Sequence, residues 1–145
     1  MILRRGFWKA RQGSVAIEFA LIATVFIFML LGVLQFALFF LSRVIIHDTL
    51  SDLATGDGLA LVQAANRTGT RNYICDRLIF SPSCRSNLRL ELRSLGSASA
   101  SGMSTTFATG GSETLMVLRA EAPIVVFIPF ISSLNVRGKA LFLQP

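Results

Sequence analysis

The feature that most constrains this chain is an uncharged apolar run near its N-terminus. From Phe19 to Leu41 there is no charged residue over 23 positions, and only Thr24 and Gln35 are clearly polar. A helix of about 20 apolar residues crosses the hydrocarbon core of a bilayer. A buried helix in a soluble domain is the alternative, but the rest of this 145-residue chain is too small to wrap the helix on all sides. The run therefore predicts one transmembrane helix.

The distribution of charge predicts the orientation of that helix. The formal net charge is +6, and four cations precede the apolar run: Arg4, Arg5, Lys9 and Arg11. Cations beside one end of a span keep that end in the cytoplasm. After residue 13, ten Lys and Arg residues are scattered among eight Asp and Glu residues, without the basic stripe that binds nucleic acid. We expect a single-pass inner-membrane protein with a cytoplasmic N-terminus, a periplasmic C-terminal part and no nucleic-acid partner.

An ordinary secretory signal is a competing interpretation of this N-terminus. Such a signal has an apolar core of about 7–15 residues followed by a small-x-small cleavage site. Here the core is longer, and Leu41-Ser42-Arg43 follows two bulky residues, Phe39 and Phe40. Cleavage at the far end of the run is therefore not expected.

The junction before the run carries two unusual residues, Gly13 and Glu18. Glycine is a poor helix former whose backbone can lie extended in a protease cleft. A charge within a span costs about 2.5–3.5 kcal/mol at mid-bilayer and less near the interface, so Glu18 is a functional candidate. If the chain is cut between Gly13 and Ser14, Glu18 becomes the fifth residue of the mature protein. This spacing is similar to that of prepilins, which aspartic prepilin peptidases cut.

In an assembled pilus of that kind, the carboxylate pairs with the N-terminal amine of a neighbouring subunit in an apolar core. Pairing makes a buried charge tolerable and supplies register. In the alternative, the Glu18 side chain reaches the cytoplasmic interface and Gly13 is a loop residue. The basic leader and the long apolar helix on either side favour the prepilin interpretation.

The helix is expected to continue beyond the membrane. Apolar residues keep a helical spacing after the run: Val44, Ile45, Leu50, Leu53 and Ala54. Thr55-Gly56-Asp57-Gly58 is the first expected break, after which a short apolar run resumes the helix as far as Ala65. The predicted units are a leader (1–13), a transmembrane and extended helix (14–65) and a small periplasmic or extracellular head (66–145).

The head is predicted to hold a small antiparallel sheet packed on the outer helix, which gives an α+β fold with a long pilin-like N-terminal helix. Leucines at 88, 90 and 92 alternate with charged residues at 89, 91 and 93, which indicates a half-buried strand. Residues 95–112, rich in Gly, Ser, Ala and Thr, predict a long flexible loop. Two further strands are expected at 115–122, ended by Pro123, and at 134–143, with Gly138 as a possible bulge.

A second apolar segment, Ile124–Ile131, lies between the last two predicted strands. It is too short to span a membrane. It is either part of the sheet core or an exposed strip that contacts another subunit or rests on the bilayer.

The two cysteines, Cys75 and Cys84, predict a disulfide. An even number of cysteines in a domain outside the cytoplasm favours this pairing. A zinc site would need more ligands than two cysteines, and the single histidine, His47, lies near the membrane. A redox pair would more often be Cys-x-x-Cys. We expect no metal site and no cofactor.

The stretch Gly13-Ser-Val-Ala-Ile-Glu18-Phe19-Ala20-Leu21, followed by the long apolar helix, resembles the TadE-like proteins of tight-adherence (Tad) pilus systems. Glu-Phe-Ala-Leu is the signature of that family at the head of the helix, and parts of it occur in the related TadF and TadG proteins. Ile17 is a conservative departure, since many relatives have Val before Glu. The resemblance covers most of residues 4–93, and the last fifty residues match only in general pattern.

The resemblance implies a minor pilin or pseudopilin needed to assemble a thin adhesive fibre. Its implied partners are the prepilin peptidase, other Tad pilins and minor pilins, the inner-membrane assembly platform and the lipid bilayer. Gly13 and Ser14 would flank the cut, and Glu18 would be the carboxylate of the motif. A major pilin is disfavoured because Tad major pilins have almost no head. An uncleaved single-pass accessory subunit is the main alternative, and an adhesin is a third.

An enzyme is not expected. The sequence contains no Gly-rich phosphate loop, no His/Glu cluster and no Ser/His/Asp set.

Overall fold

The computed structural model describes residues 10–79, 81, 83–98, 102–128 and 131–145, with side chains from residue 15 onward. The first nine residues of the predicted leader, residues 99–101 of the predicted loop, and Pro129 and Phe130 of the second apolar segment lie outside the described residues. The helices are α1 (Ala10–Thr55), α2 (Leu59–Gln63), α3 (Arg67–Arg77) and α4 (Cys84–Asn87). The strands are β1 (Arg89–Ser94), β2 (Leu115–Ile124) and β3 (Leu134–Leu143), and a 3-10 turn at Leu95–Ser97 follows β1.

Helix α1 dominates the molecule. Its 46 residues extend over about 69 Å at a rise of about 1.5 Å per residue. The helix ends at Thr55, and Gly56 N donates a hydrogen bond to Asp52 O at 2.7 Å. This break lies at the predicted Thr55–Gly58 stretch, and α2 resumes the helix just after it. Because α1 begins at Ala10, the predicted boundary between leader and helix at residue 13 has no counterpart in the backbone.

The predicted antiparallel sheet and α+β class are confirmed. The strands lie in the order β1-β2-β3, and both neighbouring pairs are antiparallel. One face of the sheet packs on the second half of α1, residues 42–55, called the outer half here, where Ile46, Leu50 and Leu53 are fully buried. Their partners from the strands include Leu90, Leu92, Leu118 and Val136. Alternation along each strand directs every second side chain to this face.

Helix α3 was not predicted and completes the core from another side. The Asn66 side chain accepts a hydrogen bond from Gly69 N at 2.9 Å and caps the helix at its N-terminus. Ile74 is fully buried. Arg77 pairs with Asp52 of α1 and lies over the Tyr73 ring, 4.3 Å from its centre. The pair and the core contacts together attach α3 to α1.

Two details of the predicted strands were wrong. Strand β2 does not stop before Pro123, which pairs with Asn135 of β3. Proline is tolerated there because β1 pairs with β2 only as far as Glu121, so this end of β2 has one neighbouring strand. Gly138 is not a bulge, since the register with β2 continues through it. Its lack of a side chain lets α1 approach, because a Cβ would lie 2.5 Å from Leu50 Cδ1.

The predicted flexible loop at 95–112 is partly ordered against the sheet. Leu92 N donates to Thr106 O at 2.9 Å, and Ala108 N donates to Leu92 O at 3.1 Å. Residues 106–108 therefore lie along the outer edge of β1, as a short parallel bridge between Leu92 and Phe107. This contact covers an edge that would otherwise present unpaired backbone groups.

Candidate functional site

The first half of α1, residues 15–41, is mostly exposed in the isolated chain and is called the bare half here. In its most apolar 18-residue window no residue is buried, and α1 from Val15 to Thr55 is the described helix that is long and apolar enough to cross a membrane. Phe19, Val25 and Phe36 are each about two-thirds exposed or more. Exposing so much apolar surface to water is unfavourable, at about 25 cal/mol per Å². This half of the helix therefore needs lipid or other protein around it.

The predicted cleavage and register residues lie at the start of this bare helix. Gly13 and Ser14 are helical, in the first two turns of α1, and Glu18 follows one turn after Ser14. The Glu18 side chain is exposed, and none of the described side chains forms an ion pair with it. The structure thus presents an exposed carboxylate on an apolar helix, without an ion-pair partner among the described side chains.

Gln35 is the exception on the bare half, since only 4% of it is exposed. Its Nε2 donates to Val125 O at 3.1 Å, and its Oε1 accepts from Phe127 N at 2.8 Å. Both ends of the amide therefore hold the backbone that connects β2 to β3. In the sequence, Gln35 is only a polar interruption of the apolar run. Its partner lies 90 positions away, so no local pattern predicts the contact.

The two cysteines are brought together at the end of α3 and the start of α4. The Cα atoms of Cys75 and Cys84 lie 5.7 Å apart, within the range of disulfides, and their sulfur atoms are bonded in the structure. Cys84 is 3% exposed and belongs to the core. The pair therefore fixes the turn between these helices, although its formation in the cell stays a prediction.

The face of the sheet away from α1 holds two buried acids, Glu91 and Glu121. The alternating pattern of residues 88–93 predicted Glu91 on a polar face. Glu91 is fully buried, with its carboxylate 3.4 Å from Arg93 and 3.5 Å from Arg119. Glu121 is 5% exposed and lies 3.1 Å from Arg137. The cross-strand register brings these opposite charges side by side, and pairing makes their burial tolerable.

A groove of about 630 Å³ is lined by residues of α1, of the three strands and of the loop at Gly102 and Met103. Its charged lining is mostly cationic: Arg43, Arg89, Arg119, Arg137 and Lys139, with Glu121. Across the described ranges, no group of three His, Cys, Asp or Glu side chains could hold a metal ion. The groove offers positive charge beside the end of the apolar run, a distribution suited to binding anions.

Comparison with known proteins gives one match. The family model described as TadE-like protein matches residues 13–54. No curated protein and no solved structure matches the chain. The matched segment begins at Gly13, includes Glu18 and ends one residue before α1 does.

The match decides how far the predicted resemblance extends. The resemblance, expected over most of residues 4–93, is confirmed for residues 13–54, whereas the head lies outside the matched segment. The segment coincides with the bare half of α1 and with the outer half that packs on the sheet. The N-terminal helix is thus the part of this chain that is similar to the TadE-like family.

Proposed function

We propose that this chain is a minor pilin or pseudopilin that is required to assemble a Tad-type adhesive pilus and is matured by a prepilin peptidase. The family match indicates a pilin-like protein associated with Tad pili, in a family that is structural rather than catalytic. The observation that carries the finer proposal is the exposed apolar helix with the carboxylate of Glu18 near the start of its described part, where no described side chain pairs with it.

A helix of this kind suits a subunit that passes between two apolar environments. Before assembly the exposed side chains of α1 lie in the lipid of the inner membrane. In the fibre the same side chains pack against the helices of neighbouring pilins. Both environments remove the apolar surface from water, so the subunit changes surroundings without refolding its head.

Glu18 specifies how neighbouring subunits align. Cleavage between Gly13 and Ser14 creates an amine about 6 Å along the helix axis from Glu18. The carboxylate of one subunit then pairs with the new amine of the next in the apolar core of the fibre. An unpaired charge in that core is costly, so subunits at other axial offsets are disfavoured.

The remaining partners follow from the proposed orientation. The basic leader stays in the cytoplasm, where the peptidase and the inner-membrane assembly platform act, and the head lies in the periplasm. The oxidising periplasm allows the Cys75–Cys84 disulfide to form. Other Tad pilins and minor pilins contact α1 once it leaves the lipid.

The first experiment is the intact mass of the membrane-bound protein, made with and without the peptidase. We expect a peptidase-dependent loss of residues 1–13 that leaves Ser14 as the first residue. Gly13→Leu should block the cut, whereas Gly32→Leu should not, because a Cβ at Gly32 has no neighbour within 4 Å. Full-length mass in the presence of active peptidase would refute the maturation step.

A second experiment separates cleavage from assembly. Glu18→Gln keeps the shape of the side chain and removes its charge, so the chain should be cut but lost from sheared fibres. Glu113→Gln, the same change at an exposed position in the head, should leave both steps intact. Normal incorporation of the Glu18→Gln protein would remove the proposed role in register.

One observation favours a different function, that of an uncleaved single-pass accessory subunit of a pilus or secretion complex. The described helix α1 is unbroken through Gly13 and Ser14, so a protease would have to unwind the helix at the cleavage site. Gly13 is a poor helix former and weakens the helix there. The accessory subunit would keep residues 1–13 and be absent from sheared fibres.

A further inference from the structure

The connection between β2 and β3 reaches back along α1 toward the membrane. Ile124 ends β2 with 7% exposure, and the chain then returns to β3 at Leu134. Between them, the backbone of Val125 and Phe127 lies against Gln35 through the two hydrogen bonds described above. This contact gives the axial level of the connection on α1.

That level lies within the apolar run. Gln35 precedes Leu41, the last residue of the run, by six positions, which is about 9 Å along the helix. The neighbouring side chain Phe36 is 67% exposed at the same depth. If α1 crosses a bilayer, residues 125–128 therefore lie below the headgroups of the leaflet on the head side.

The chemistry of the connection suits that depth. The side chains of residues 125–128 are all apolar, and Phe127 is 47% exposed. The exposed serines, Ser132 and Ser133, lie at the far end of the connection, next to β3. Irregular backbone is tolerated in hydrocarbon only where the protein satisfies its polar groups. Gln35 satisfies the C=O of Val125 and the N–H of Phe127. These two hydrogen bonds also satisfy the amide nitrogen and oxygen of Gln35 itself.

Charge appears just above this level. Arg43 is the first charged residue after the run, and it lines the same groove as Arg137 of β3 and Arg89 of β1. Cations at this position lie near the phosphates of the same leaflet and are attracted to anionic lipid. The order of apolar side chains below and cations above is the order that a bilayer presents.

We propose that the start of the β2–β3 connection, residues 125–128, is a second membrane-embedded element, inserted into the head-side leaflet beside α1 and positioned there by Gln35. The proposal rests on the membrane span of α1 in the proposed function. It gives the head two attachments to the bilayer instead of one, which fixes its rotation about the helix axis. Cleavage of the leader is not required for it.

Depth-dependent quenching of a single tryptophan tests the insertion. In a Trp8→Phe background, Phe127→Trp, Phe36→Trp and Leu143→Trp are each reconstituted as the full chain in dilute vesicles of phosphatidylethanolamine and phosphatidylglycerol that contain brominated lipid. Leu143 is the matched control, since it is 61% exposed at the opposite end of β3. We expect quenching at positions 127 and 36 to agree within about two-fold, and none at position 143.

Each other outcome identifies a different environment for the side chain at position 127. A tryptophan at 127 that escapes lipid quenching but is quenched by aqueous iodide would show a solvent-exposed connection, and one that escapes both would show a protein partner, such as a second copy. Either result, with position 36 quenched, overturns the insertion and leaves the span intact. Absence of quenching at position 36 would refute the span and the insertion together.

Gln35→Leu tests the positioning role. The substitution keeps the site apolar but leaves Val125 O and Phe127 N without their partner, so quenching at position 127 should fall at least two-fold while quenching at position 36 is unchanged. Thr24→Val is the matched control, because the Thr24 hydroxyl bonds only Ala20 O of its own helix, at 2.7 Å. Unchanged quenching at position 127 in the Gln35→Leu protein would assign the insertion to the apolar side chains alone and overturn the role of Gln35.

Discussion

The two halves of α1 are continuous in backbone, yet they differ in what surrounds them. Between Val15 and Leu34 the large apolar side chains are mostly exposed around the whole circumference. Between Ser42 and Ala54 one face is buried and the other is exposed, with Arg43 and Asp48 on the exposed side. The apolar side chains of the first half can be covered only by lipid or by another protein. The buried face of the second half is covered by the head of the same chain.

The difference shows that the core of the head includes part of α1. Ile46, Leu50 and Leu53 are fully buried and belong to the same core as the strands. Since these residues belong to α1, one unbroken helix forms both the exposed apolar segment and part of the core of the head. The predicted head of residues 66–145 lacks this part of its own core.

The largest effect is expected from removing one half of α1 or both. A chain that begins at residue 42 keeps Ile46, Leu50 and Leu53, so it should fold and unfold cooperatively in aqueous buffer. A chain that begins at residue 59 loses these side chains and should not fold. Urea titrations followed by circular dichroism compare the two, and a cooperative transition in the shorter chain would show that the head is independent of α1.

A single truncation in each half gives a smaller contrast. Leu50→Ala removes a fully buried side chain and should lower the free energy of unfolding of the head by about 2–5 kcal/mol. Leu30 is 53% exposed, so Leu30→Ala should leave the stability of the head unchanged. Pulse proteolysis in urea on the detergent-solubilised chain measures both, and equal effects would abolish the distinction between the halves.

The close approach of α1 to β3 predicts a cost for adding one methyl group. In Gly138→Ala the new Cβ would meet Leu50 Cδ1 at 2.5 Å, and relieving this overlap should cost about 1–3 kcal/mol. Gly96→Ala is the control, since a Cβ there has no neighbour within 4 Å. The same proteolysis assay applies, and a Gly138→Ala protein as stable as the parent would mean that the contact is loose.

The smallest effect is expected at the surface ion pair between α1 and α3. Its hydrogen bond with Asp52 raises the pKa of Arg77, which therefore keeps its charge at every accessible pH. The pair is exposed, so Asp52→Asn should weaken the head only slightly, and less in high salt than in low salt. Asp57→Asn, at an exposed turn position, should have no effect. A large loss that salt does not alter would contradict this account.

Local periodicity was enough to predict the main elements. The uncharged run predicted a membrane-type helix, helical spacing carried it to the break at Thr55–Gly58, and alternation predicted the strand after Cys84. The residues around Glu18 identified the family that the comparison then matched. These features depend on residues that are close in sequence, so the local sequence is enough to predict them.

Four features depended on contacts that no local pattern records. Gln35 bonds to residues 90 positions away, Gly138 makes room for α1, Glu91 is buried between two arginines, and Pro123 continues a strand where it has one neighbour. Each was predicted with a different environment or with none. Composition and periodicity determine which surfaces are apolar and which elements form, because those properties are local. Which apolar surface another part of the chain covers, and which is left for lipid or a partner, is decided only when distant segments pack together.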